Sequence, residues 1–168
     1  MKKLIVYLNN IPGRYVTIYR ICLLILFILA VIFINAYLSK TSEDENNFLK
    51  SLNLNLSLKV IDIKPTNNHG YGVIYGEVVS KNVPDNYTAV YKNKYAFCKI
   101  QGTKALFISD YFTMNKKDSV VINTSKAKYQ VYRNGKLDSE NNLTFTTDFM
   151  LYWDIEKDRL LDFNTYNR

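Results

Sequence analysis

Hydrophobic positions fall into two regimes along the chain. From Ile21 to Ile34 they are continuous: ICLLILFILAVIFI holds no charge, glycine or proline, and Asn35-Ala36-Tyr37-Leu38 prolongs it to about eighteen residues. About twenty helical residues cross a hydrocarbon core, so residues 21–38 predict a transmembrane helix. Ile21, Leu24, Phe27, Ala30 and Phe33 are its anchor positions. The run lacks the polar stripe that a helix of a soluble domain normally shows. Beyond it, Ser42 followed three residues later by Glu45 has the form of a capping box, and Phe48, Leu49 and Leu52 share a helical face. That predicts a short stalk helix within residues 39–53, close to continuous with the span.

From Leu52 the period becomes two. Leu52, Leu54, Leu56, Leu58 and Val60 alternate with Asn53, Asn55, Ser57 and Lys59, which is a strand pattern. The phase slips at Ile61-Asp62-Ile63 and predicts a β-bulge or a change of sheet near Val60. Further β-rich runs cover residues 72–80, 87–91, 95–100, 105–108, 120–123, 129–133 and 143–149. Turn clusters separate them, and Asn134-Gly135 is the strongest, because a type I′ hairpin turn needs positive φ. The stretch from Met150 reads as a hairpin turning at Lys157-Asp158 or as a closing helix, with the hairpin favoured. About seven to nine short strands without intervening helices predict a mainly β fold, a small antiparallel β-barrel or β-sandwich. They exclude a parallel α/β sheet.

Charge gives the span a direction. Lys2, Lys3, Arg14 and Arg20 precede it with no acidic residue, and Ser42-Glu43-Asp44-Glu45 follows it. Basic flanks resist translocation, so residues 1–20 are expected to form a cytoplasmic tail and residues 54–168 an exported β-rich domain at an inner or plasma membrane. A cleaved signal is the competing reading. Against it, the basic region is about twenty residues long, and cuts after Ala36 or Ser39 put Ile34 or Tyr37 where a small residue is needed. Net charge is +7, but four of the 22 basic residues and none of the 15 acidic ones precede the span, which leaves the remainder at +3. That surface gives no support for a nucleic acid partner. Cys22 falls in the span and Cys98 in the domain, so no intrachain disulfide is expected. Cys98 alternates in phase with Ala96 and Ile100, as a core residue would.

Candidate chemistry is sparse. His69, the sole histidine, sits in a Gly/Asn-rich turn without ligand spacing around it, so no metal or other cofactor is expected. Asp110, Asp118, Asp148, Asp154 and Glu156 are the carboxylates a hydrolase would draw on, and no spacing pairs them. Tyr91-Lys92-Asn93-Lys94-Tyr95 interleaves bases with rings, as single-strand-binding surfaces do, but an exported domain rarely meets nucleic acid. Tyr91, Tyr95, Tyr132 and Trp153 therefore form the candidate binding face for a glycan or a peptide. The plainer use of Tyr is to fill half-buried strand positions.

Tyr111-Phe112-Thr113-Met114-Asn115-Lys116-Lys117-Asp118-Ser119-Val120-Val121, followed by Tyr129-Gln130-Val131-Tyr132-Arg133-Asn134-Gly135, resembles a region of small uncharacterised single-span bacterial envelope proteins. Lys117 stands where those have Gly. The likeness covers about thirty residues, contains no catalytic motif, and implies a β-rich exported domain. Asp118 is expected to cap the turn that re-enters a strand at Ser119. The residues thus point to a membrane-anchored, non-enzymatic envelope protein. Its expected partners are the lipid bilayer and another envelope protein or a cell-wall glycan. An envelope hydrolase using His69 with carboxylates, or an immunity-type protein against an exported toxin, are the alternatives.

Overall fold

The computed structural model describes residues 13–67 and 70–166, so Lys2, Lys3 and His69 lie outside the described residues. The chain divides into two compact units between Ser42 and Glu43.

Helix α1 runs Gly13–Ser51. It starts ahead of the predicted span and continues through the predicted stalk, so no separate stalk helix begins at Ser42. Residues 39–51 contain neither Gly nor Pro to stop it. Thr41 satisfies its hydroxyl inside the helix by donating to the Tyr37 carbonyl (3.0 Å). A capping-box pattern within a running helix has no free amides to serve. Within Ile18–Ser51 an 18-residue stretch is long and apolar enough to cross a membrane, and none of it is buried by the rest of the chain. The helix stops at Asn53, which adopts the left-handed φ (45°) common after a helix C-terminus.

Eight strands follow: β1 (Asn55–Pro65), β2 (Tyr71–Lys81), β3 (Asn86–Tyr91), β4 (Tyr95–Gln101), β5 (Lys104–Asp110), β6 (Ser119–Asn123), β7 (Lys128–Arg133) and β8 (Lys136–Asn142). All pairings are antiparallel, in the order β3-β4-β5-β2-β1-β6-β7-β8. The sheet is not closed, since β3 and β8 end it. It does curl. The Tyr129 hydroxyl on β7 donates to Asp110 at the end of β5 over 2.6 Å, although four strand spacings separate them, about 19 Å on a flat sheet. The inner face is continuous in register. Leu58 faces Val120, Val120 faces Val131, Ile74 faces Phe107 and Phe107 faces Cys98, all essentially buried.

The bulge lies where the phase slip places it. The β1–β2 register shifts between Val60 and Asp62, which leaves Ile61 exposed. Opposite it, Gly76 has no room for a Cβ, which would meet the Lys59 carbonyl oxygen at 2.8 Å. Asn134 and Gly135 both take positive φ (53° and 76°) and join β7 to β8. β8 has no strand-like alternation in sequence. It is a polar edge strand with Leu137 half exposed, and charged edges resist pairing with other chains.

Two expectations are overturned. Residues 143–148 are not a strand: Leu143 and Phe145 alternate because a connecting segment inserts both into the core. The stretch from Met150 is not a hairpin. It forms helix α2 (Phe149–Lys157) and a 3₁₀ turn (Phe163–Tyr166). Asp148 caps α2 by accepting from the Met150 and Leu151 amides (2.8 and 3.2 Å). Together with the last turns of α1, this C-terminal segment packs on the outer side of β2, β3 and β4. Phe48 meets Tyr91 and Phe145, Phe145 meets Phe97, Tyr152 meets Tyr95, and Tyr75 meets Phe163 and Tyr166.

Cys98 is fully buried, and desolvation pushes its thiol up to about 12. In a Cys22→Ser variant, alkylation near pH 8 is expected to be negligible until denaturant unfolds the β unit. Stoichiometric labelling of the native protein would contradict this.

Candidate functional site

The 111–121 and 129–135 stretches meet in space. Arg133 grips Asp118 through two nitrogens (Nη2 to Oδ2 3.1 Å, Nε to Oδ1 3.3 Å), and Asp118 is only 4% exposed. The same carboxylate accepts the Asn115 amide (2.9 Å), the turn-capping role expected of it. Backbone bonds fasten this turn to the β1 bulge: Lys117 N–H to the Val60 carbonyl and Val60 N–H to the Asp118 carbonyl, both 2.8 Å. Thr113 is held by the Tyr129 hydroxyl (3.2 Å) and the Asn141 amide (3.3 Å). Burial, followed by the Asp110 acceptor, pushes the Tyr129 phenol well above its ordinary value, so it stays a neutral donor. Every group here is occupied by another of the same cluster, which makes it a brace for the 111–118 loop.

Lys117 has φ of 75°, a left-handed conformation that disfavours any residue with a Cβ. Lys117→Gly is expected to stabilise the protein by about 1 kcal/mol, read as a rise in denaturant midpoint at constant m-value. A lowered midpoint would show that the lysine side chain contributes more than its backbone strain costs.

Four of the five candidate carboxylates are likewise in structural use, and the fifth, Glu156, is exposed on α2. Asp110 receives Tyr129, Asp118 receives Arg133, Asp148 caps α2, and Asp154 accepts the Asn67 amide (2.9 Å). Burial opposes the charge on Asp62. The Lys116 ammonium, the Ile63 amide and Lys64 outweigh that opposition and hold its carboxyl below the ordinary range. Among the described residues no three His, Cys, Asp or Glu side chains gather as metal ligands.

The four aromatic candidates separate. Tyr91 and Tyr95 are direct cross-strand partners on β3 and β4, half-buried, with Lys92 and Lys94 lying over their rings (4.9 and 5.2 Å). Trp153 lies on α2 next to Tyr152, which reaches Tyr95. Tyr132 is on β7, with β5, β2, β1 and β6 between it and β4, and donates to Gln130 (3.0 Å). Phe149 and Met150 were not singled out from sequence, yet they stand exposed on α2 with Trp153 (63%, 61% and 56%). A helical reading of residues 149–157 would have found that face. The anchor positions Ile21, Leu24, Phe27, Ala30 and Phe33 are all exposed on α1.

A shallow groove of about 480 Å³ lies on the outer side of β6–β8, lined by Val121, Asn123, Lys126, Lys128, Gln130 and Glu140. Two of its side chains, Lys128 and Gln130, take the two Glu140 oxygens and hold that carboxyl below its ordinary range. No family model, no curated protein and no solved structure matches this chain.

Proposed function

We propose that this is a single-span membrane protein with its N-terminus in the cytoplasm and its β unit exported, acting without catalysis as a tethered module that binds another envelope component. The observation that supports the reading is the 18-residue apolar stretch of α1 with nothing of its own chain over it. Water is a poor solvent for that surface and a bilayer is a good one. The Lys2, Lys3, Arg14 and Arg20 flank favours the stated orientation. A lone apolar helix supplies no polar pathway for transport, and Asp110, Asp118 and Asp148 are committed to caps and braces, which favours recognition as the task of the β unit. The open β3 edge and the groove that Tyr132 reaches through Gln130 are its available surfaces, and the partner is an envelope protein or a wall glycan.

Alkaline carbonate washing of membranes should leave the intact chain in the pellet, and a periplasm-active reporter fused after Arg168 should be active. Release of full-length protein, or a reporter active only in the cytosol, would defeat the anchor and its direction. Recovery in mild detergent with neither a protein partner nor affinity for isolated wall material would defeat the binding role.

A further inference from the structure

We propose that the exposed apolar side of α2, formed by Phe149, Met150 and Trp153, lies in the interfacial layer of the same bilayer that holds α1. The inference rests on the anchor reading above. The three side chains occur at i, i+1 and i+4, so they share one side of the helix, while Leu151, Tyr152 and Ile155 on the other side are buried. The Phe149 and Trp153 rings lie 6.1 Å apart, one contiguous apolar surface that the β unit leaves uncovered. The helix is held firmly beneath it, by the Asp148 cap and by the Tyr152 hydroxyl bonded to the Ala96 carbonyl (2.8 Å).

Chain length keeps this surface near the lipid. Glu45 follows Leu38, the end of the predicted span, by seven residues, about 25 Å even when fully extended. Its carboxylate accepts both the amide and the hydroxyl of Thr147 (2.6 and 2.7 Å), and Phe149 is two residues further on. The start of α2 is thus tied to the residues that leave the membrane. Composition selects lipid as the occupant. Trp and Phe partition to headgroup level, and Lys157, four residues after Trp153, is exposed on the same side to meet anionic phosphates. Phe48, three residues after Glu45, holds Tyr91 at 5.0 Å, which brings the exposed Lys92 and Lys94 to the same end of the β unit.

Trp153 is the only tryptophan, so its fluorescence reads the contact directly. Full-length protein is reconstituted into vesicles of phosphatidylcholine and phosphatidylglycerol, with iodide on both sides. Expected are a blue-shifted emission, quenching by lipids brominated high on the acyl chain, and protection from iodide. A Phe149→Ser, Met150→Ser double variant with unchanged circular dichroism should lose the protection. If the protein resists carbonate extraction but Trp153 is quenched by iodide and not by brominated lipid, the inference fails while the anchor stands. Shielding from iodide without lipid quenching, increasing with protein density, would assign the surface to a second copy and overturn the inference. Extraction by carbonate would remove the anchor reading, and the inference with it.

Discussion

Phe145→Ala is expected to lower the stability of the Glu43–Arg168 unit by about 3–5 kcal/mol, the usual cost of emptying a buried phenylalanine site. Phe145 is 8% exposed and touches three other rings, Phe48 at 5.0 Å, Tyr91 at 5.8 Å and Phe97 at 6.1 Å. These belong to α1, β3 and β4, so one truncation loosens a helix and two strands together. The 143–148 segment that presents Phe145 is not a strand, and it is tied at its ends by the Leu143 N–H bond to the Ala127 carbonyl and the Thr147 bonds to Glu45. Midpoints in urea should fall by more than one molar at an m-value of about 2 kcal/mol/M. Phe112→Ala is the control: that ring is 75% exposed, and its loss should stay within about 0.5 kcal/mol. Comparable losses for the two variants would mean that the aromatic cluster does not hold the C-terminal segment down.

Asp118→Ala is expected to cost about 2–3 kcal/mol. Breaking a fully buried ion pair costs about 3–5 kcal/mol because a charge is left stranded in the interior. Here the group left behind, Arg133, is 40% exposed and can turn to water or to Asp138, so the smaller figure applies. What is lost is the acceptor for the Asn115 amide and the clamp between the 111–118 loop and β7. Asp118→Asn keeps a turn-capping oxygen without the ion pair and should recover about half of the loss. If Asp118→Asn is as damaging as Asp118→Ala in chemical denaturation, the stabilisation comes from charge alone and the turn cap contributes nothing.

Much of the fold is legible from residue order because local rules and packing agree there. The alternation of Leu54, Leu56, Leu58 and Val60 and the Asn134-Gly135 turn are found as read, and the slip at Ile61 takes the bulge of the two forms it allowed. Where they diverge the reading fails. β8 is defined by backbone pairing to β7 and not by apolar side chains, so Lys136-Leu137-Asp138-Ser139 gives no periodic signal. In α2 both sides are apolar, one for the core and one exposed, which hides the helical period of Phe149-Met150-Leu151-Tyr152-Trp153. The aromatic surface suffered from the same loss. Tyr91 and Tyr95 are neighbours through a short hairpin and can be paired from sequence, but Tyr132 is distant because of strand order, which no local pattern encodes.

The central position of β1 has a consequence for synthesis. β1 can pair with β2 once both have crossed the membrane, yet its other edge waits for β6, whose first residue, Ser119, lies more than fifty residues later in the chain. Until then an incomplete chain exposes the hydrogen-bonding rim of β1, along with Leu54, Leu56 and Leu58. Long-range closure of this kind is slow and vulnerable to aggregation. Anchored chains truncated before residue 119 should therefore be captured by holdase chaperones on the exported side of the membrane, and the complete chain should not.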